Sequence, residues 1–329
     1  MKALICHRYG PVDTMRVRTI PDPRPKPNEV VVDIAYAPVS FPDTLIVQGL
    51  YQVKPTLPFV PGHEFSGVIS ELGIAVKNHR IGDRVFVSSG TGAITQRTAV
   101  HETQIKRLPA NISLETAACL SVTYITALHG LKDLANLQEG QKVLILGAAG
   151  GTGSAAIEIC KIMVAQVIAA VGSQEKLEFC QQLGADYTIN YDLEDLRQRV
   201  EEITEQKGVD IVVDMVGDRY AEPAFRTLGF RGKYLVVGFA AGEIPRIPVN
   251  LALLRERSII GVYAPAAIKS GNQEIDSNYR ILLNWISQGL LVPKITQRYS
   301  LDQAQDALIY AASRQSMGKV LIEVNPTLK

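Results

Sequence analysis

From residue 143 onward, apolar and polar positions follow two patterns that take turns. Val143-Leu144-Ile145-Leu146 is an unbroken apolar run, as in a strand covered on both faces. Residues 154–164 instead carry their apolar side chains at helical spacing. The exchange then repeats. Strand 166–171 leads to helix 174–183, stopped by Gly184, and strand 187–189 leads to helix 193–204. Strand 209–214 leads to helix 219–228, strand 233–237 follows, and 258–262 reads as the last strand. Strand, helix, strand in this rhythm predicts a doubly wound α/β domain with a parallel sheet and right-handed crossovers.

The first 110 residues lack that rhythm. Segments 1–5, 29–37, 66–72 and 84–88 are short β-branched runs set between Pro- and Gly-rich connectors. In Pro21-Asp22-Pro23-Arg24-Pro25-Lys26-Pro27 the alternate prolines forbid ladder pairing and hold the chain extended. This part is expected to be a separate β-rich, barrel-like unit. Stretches 114–118 and 124–134 read as helices. After about residue 265 the pattern loosens again: helix 277–287, strand 295–299, helix 301–314 opened by the capping box Ser300-Leu301-Asp302-Gln303, and strand 319–323. The tail is expected to rejoin the first unit. The expected division is 1–115 with 265–329 as one domain and 116–264 as the dinucleotide-binding domain, with a substrate cleft between them.

Composition narrows the partners. The 329 residues exceed one compact core, and 47% apolar with 20% charged residues fits a globular protein. A net charge of +1 gives no reason to expect nucleic acid or an anionic membrane as partner. No apolar run reaches the length of a membrane span, and Met1-Lys2-Ala3-Leu4-Ile5 lacks a leader-like apolar stretch. Cys6, Cys119, Cys160 and Cys180 have no CxxC spacing and read as reduced, buried thiols, so a cytoplasmic protein is expected.

Between the first strand and helix of the alternating region lies Gly147-Ala148-Ala149-Gly150-Gly151-Thr152-Gly153. A glycine turn there lets the backbone approach a pyrophosphate, and the following helix offers its unpaired N–H groups. Ala149 stands where the Gly-x-Gly-x-x-Gly fingerprint has glycine, so the turn alone is a weak signal; its βαβ context strengthens it. Ligands of parallel sheets bind at the strands' carboxyl ends. Those ends carry Gly172-Ser173, Val216-Gly217, Gly238-Phe239 and Val262-Tyr263. Strand 166–171 ends without the acid that an NAD site places against the ribose.

Pro38-Val39-Ser40-Phe41-Pro42-Asp43, Gly49-Leu50-Tyr51, Leu57-Pro58-Phe59-Val60-Pro61-Gly62-His63-Glu64 and Ala148-Ala149-Gly150-Gly151-Thr152-Gly153 together resemble the medium-chain dehydrogenase/reductase superfamily. Within it they are similar to the zinc-free quinone oxidoreductase, or zeta-crystallin-like, branch. The resemblance spans nearly the whole chain. It implies a GroES-like β-rich catalytic domain, a Rossmann domain and a nicotinamide cofactor. By the family pattern the three zinc-ligand positions fall on Ser40, His63 and near Val122, where only the histidine could bind a metal. No cysteine lies in 84–100, so the structural zinc lobe is missing too.

The resemblance also assigns Lys176 and Tyr191 to the 2′-phosphate of NADPH, Thr126 to the nicotinamide, and Gly318-Lys319 to the stretch closing the cleft. A lysine–phosphate contact contributes about 1.5–3 kcal/mol, and NADPH is the expected cofactor. Lys176 as a solvated helix lysine stays the alternative. The implied reaction is hydride transfer, without metal, to a quinone or α,β-unsaturated carbonyl, whose conjugation disperses the developing charge. Ser40, Phe41, Tyr51, His63, Tyr124 and Tyr263 are candidate cleft residues. His63 is either a proton donor or an idle hydrogen-bonded residue, and Tyr51 either a donor or packing; Glu64 reads as structural support. An enoyl or alkenal reductase, including one acting on thioesters, and a non-catalytic NADPH-binding sensor remain alternatives. The apolar stretch 258–263 would be an edge strand that invites a homodimer or homotetramer.

Overall fold

A computed structural model describes residues 1–328; Lys329, the final residue of the expected catalytic segment, lies outside them. The chain forms two compact units, Met1–Val122 with the segment from Val292 onward, and Thr123–Leu291.

In the first unit, β1 (Lys2–Ile5) pairs with β2 (Arg16–Thr19). The long β3 (Glu29–Val39) is followed by β4 (Glu64–Leu72), β5 (Arg84–Ser88), β6 (Arg97–His101) and β7 (Ile105–Arg107). β3 pairs antiparallel with both β4 and β6, which gives it neighbours on both edges and explains its near-complete burial. Val32, Ile34, Phe65 and Val85 fill the core beneath. One helix, Phe41–Val47, interrupts a segment whose sequence reads as strands alone. Ser40 and Asp43 start it with a capping box, and Pro42 fits its first turn.

The second unit contains β8 (Lys142–Leu146), β9 (Gln166–Val171), β10 (Tyr187–Asn190), β11 (Val209–Asp214), β12 (Leu228–Val236) and β13 (Ser258–Gly261). All pairs are parallel and the order is β10-β9-β8-β11-β12-β13. That order reverses between β8 and β11, which is where an open α/β sheet leaves its crevice. Leu144, Ile168, Val212, Phe225 and Tyr234 pack its core. Helix Gln174–Gln182 starts on Ser173, whose Oγ accepts from the Lys176 N–H, and Gly184 follows its end at φ +95°.

Two helical regions differ from the sequence expectation. Residues 124–134 are not one α-helix: Ile125–Leu128 is α, while Leu120–Tyr124 and His129–Leu134 are π-helical. Helix Gln273–Ser287 belongs to the second unit, although the loosened pattern after 265 suggested the first. Buried Asn278 on that helix donates to Asp133 at 2.6 Å, a long-range contact that periodicity cannot show.

The tail completes the first unit's sheet. β14 (Ile295–Ser300) runs parallel to β15 (Lys319–Glu323), and β15 pairs antiparallel with β3 through Val320 and Val39. Gln303 completes the capping box on Ser300 ahead of helix Ala304–Ala312.

Candidate functional site

The glycine turn after β8 is built around close backbone approach. Gly147 sits at φ +69°, and a Cβ there would meet Val216 Cγ2 at 2.9 Å. A Cβ on Gly153 would stand 2.4 Å from the Gly147 carbonyl oxygen and 2.6 Å from Ala148 Cα, so only glycine lets helix Gly151–Ile162 press this closely on the turn. Gly150 is its N-cap residue, and the N–H groups of Gly151 and Thr152 open the helix. Ala149, at 2% exposure, packs inward beneath the turn. The arrangement suits a phosphate-bearing ligand: backbone donors, no side chains in the way, and the positive end of a helix dipole.

Across the switch point, Asp214 ends β11 and shapes the next turn. Its Oδ1 accepts from the Val216 and Gly217 N–H groups at 2.7 and 2.9 Å, and its Oδ2 accepts from the Tyr234 hydroxyl. Burial pushes the Asp214 carboxyl up, against the pull of those three donors. The loop after β12 then zips onto this turn, with Ala240 and Ala241 N–H donating to the Met215 and Val216 carbonyls. That places Val216, Gly238 and Phe239 on adjacent loops at the carboxyl end of the sheet. Val262, nearly buried, and half-exposed Tyr263 follow β13 at the same end, and Thr126 lies partly buried in helix Ile125–Leu128.

At the end of β9, a Cβ on Gly172 would meet Asp192 Oδ2 at 2.5 Å and the Tyr191 ring at 3.2 Å. Tyr191 packs on Tyr220 with ring centroids 4.4 Å apart. Asp192 Oδ1 accepts from Tyr220 at 2.5 Å and from Arg219 at 3.0 Å. Half-buried Lys176 belongs to the same corner; burial lowers its pKa, while Glu175 and Asp192 pull the other way. Asp192, Arg219 and Tyr220 escaped the sequence reading. They carry no motif, and only the return of the chain after β11 brings Arg219 back to a residue 27 positions earlier.

In the first unit, Asp43 gathers three donors. Ser40 gives its N–H and its Oγ–H to Asp43 Oδ2 at 2.8 and 2.7 Å, and His63 Nδ1–H donates to Asp43 Oδ1. Asp43 is 1% exposed. Burial opposes its charge, but the His63 cation and the Ser40 and His63 hydrogen bonds hold its carboxyl below the usual range. Burial likewise works against the His63 cation, yet Asp43 and then Glu64 raise its pKa. With Nδ1 fixed on Asp43, Nε2 is the nitrogen left to exchange a proton. Tyr51 meets the His63 ring edge-on at 6.4 Å between centroids. The sequence singled out Ser40, Tyr51 and His63 but not Asp43, the group that joins two of them.

The surroundings of three further sequence-derived candidates are as follows. Tyr124 is fully buried and its hydroxyl donates to Glu158 Oε2 at 2.5 Å. Phe41 begins helix Phe41–Val47 and is partly exposed. Lys319 carries its ammonium into the interior of the first unit, where it donates to Glu64 Oε1 at 2.7 Å. Glu64 Oε2 accepts from the Val122 N–H at 2.8 Å.

Comparison with known proteins follows the same division. The alcohol dehydrogenase GroES-like domain family matches residues 26–110, and the zinc-binding dehydrogenase family matches 151–283. Quinone oxidoreductase-like protein 2 of Rattus norvegicus is 36% identical over 304 residues, covering 92% of this chain and 87% of that protein. The crystal structure of Escherichia coli quinone oxidoreductase complexed with NADPH superposes with a TM-score of 0.92 at 28% identity, over 98% of this chain and 100% of that one. A probable oxidoreductase from Mycobacterium abscessus gives 0.88 at 32% identity, over 98% and 99% of the two chains.

Proposed function

The chain belongs to the quinone oxidoreductase branch of the medium-chain dehydrogenase/reductase superfamily, and on that basis we propose that it is a zinc-independent, NADPH-dependent reductase of quinones and α,β-unsaturated carbonyls. The observation that supports the zinc-independent part is the Ser40 hydroxyl, which donates to Asp43 where a zinc site would place a thiolate. A zinc alcohol dehydrogenase would need thiolates at positions 40 and near 122. Here a hydroxyl donates to Asp43, and Val122 supplies only a backbone N–H to Glu64. Among the described residues, no three His, Cys, Asp or Glu side chains are placed to hold a metal ion. This donor set does not fit zinc.

The cofactor residues do fit a dinucleotide. The cradle at Gly150, Gly151, Thr152 and Gly153 would take the pyrophosphate, and Gly172 and Ser173 the adenosine ribose. Lys176, Tyr191 and Arg219 would take the 2′-phosphate. The last of these offsets Asp192, which would otherwise repel that phosphate. When bound, NADPH supplies the hydride. His63 would deliver the balancing proton from Nε2, with Asp43 fixing its tautomer and stabilising the imidazolium. Ser40 holds the carboxylate so that it faces the ring. Tyr51, edge-on to His63, would orient the substrate oxygen.

The test is NADPH oxidation by the purified protein with a benzoquinone, an enal and a saturated aldehyde, alongside metal analysis. The quinone or enal should turn over, and chelators should have no effect. Stoichiometric zinc, or preference for the aldehyde, overturns the reading. Tight NADPH binding with no acceptor reduced replaces it with a sensor role. Lys176→Ala should raise KM for NADPH by about one to two decades while leaving NADH nearly unchanged. Strand β13 would pair with a second copy of the chain; a monomeric mass in solution rejects that.

A further inference from the structure

The parallel sheet has two ends, and the glycine turn, Val216 and Gly238 all lie at one of them. At the other end, where β11, β12 and β13 begin, a cavity of about 280 Å³ is walled by Arg197, Arg226, Arg255 and Arg257. Two carboxylates answer these four cations. Arg197 Nε donates to Glu201 at 2.7 Å and Arg226 Nη2 donates to Glu222 at 2.6 Å. The Arg255 side chain makes no hydrogen bond or ion pair with any described residue. Arg257 gives Nη2 to the carbonyl oxygens of Arg226 and Leu228, neither of which carries charge. Its Nε is buried without any acceptor.

Two guanidinium groups around one hollow therefore have no carboxylate partner, Arg257 lying over the Phe225 ring at 5.6 Å, and one buried donor has no acceptor. An unmet buried N–H is costly, and so is cation–cation repulsion in a partly desolvated site. Burial, then the charges of Arg255, Arg197 and Arg226, push the Arg257 pKa down to about 10. A multiply charged oxyanion would relieve both defects, because guanidinium forks match phosphate oxygens in pairs. Leu251 and Leu254 on the same wall supply apolar surface for an organic remainder.

We propose that this cavity is a second anion site, taking the di- or triphosphate group of a small free molecule at the end of the sheet remote from the glycine turn. Arg255 is the residue to remove, because it supports nothing else in the fold. The experiment is calorimetric titration of inorganic pyrophosphate into the full chain saturated with NADPH, at fixed ionic strength. The wild-type protein should bind one equivalent, and Arg255→Gln should weaken it about tenfold or more. Arg280→Gln, an exposed arginine in the same unit, should bind as wild type. The Arg255 comparison does not depend on which nucleotide the glycine turn holds. Absence of binding overturns the proposal, as does equal binding by Arg255→Gln. Binding to vesicles carrying phosphatidic acid but not to pyrophosphate overturns it as well.

Discussion

The Lys319 ammonium lies 2.7 Å from Glu64 Oε1, joining residues 255 positions apart, and both side chains are 2% exposed. The pair ties the start of β15 to the start of β4. Buried pairs of this kind contribute little over an apolar substitute, but breaking one strands a charge in the core.

Glu64→Gln or Lys319→Met alone should therefore destabilise the protein by about 3–5 kcal/mol. The double change should cost less than either single change. Urea denaturation of the three variants checks this, and additive losses would show that the two residues do not act as a pair.

The Asp43–His63 pair sets a pH window. Asp43's contribution to stability is present above the ordinary carboxylate range and is lost as pH falls through its lowered pKa. His63's contribution is present below the ordinary imidazole pKa and is lost as pH rises through its raised value. Asp43→Asn removes the main force raising His63, so the basic limb of the kcat/KM profile should move to lower pH. His63→Gln should lower kcat by about a hundredfold or more. An unshifted profile in Asp43→Asn would place the titrating group elsewhere.

Gly153→Ala should separate helix Gly151–Ile162 from the turn before it, since the new Cβ would stand 2.4 Å from a carbonyl oxygen. A stability loss of about 1–3 kcal/mol is expected, together with weaker NADPH binding. Thermal unfolding with and without NADPH measures both.

All four cysteines are buried thiols, none of them in a disulfide. Burial pushes the Cys119 and Cys180 thiols up to about 12 and raises those of Cys6 and Cys160 as well. The native protein should react negligibly with a disulfide reagent at neutral pH, and all four thiols should react in denaturant. Rapid labelling of the native protein would contradict this.

Local chemistry made much of the second unit legible. The run 143–146 is apolar because β8 is covered on both faces, and Gly184 stops the helix before it. The capping box at Ser300 was equally readable. Helix Phe41–Val47 was not, because seven residues hold too few turns for periodicity to emerge. The π-helical turns at 120–124 and 129–134 have the same side-chain composition as an α-helix and leave no trace in the sequence.

The sequence by itself determined where strands and helices alternate, where glycine lets the backbone close in, and which histidine stands at position 63. Those properties depend on neighbours a few residues apart, whose preferences act before the chain is folded. Only the tertiary structure decided that Asp43 joins Ser40 to His63, that Lys319 answers Glu64, and that Arg219 returns to Asp192. Those partners lie up to 255 residues apart, and a charge declares its partner only when burial removes the water that would otherwise serve.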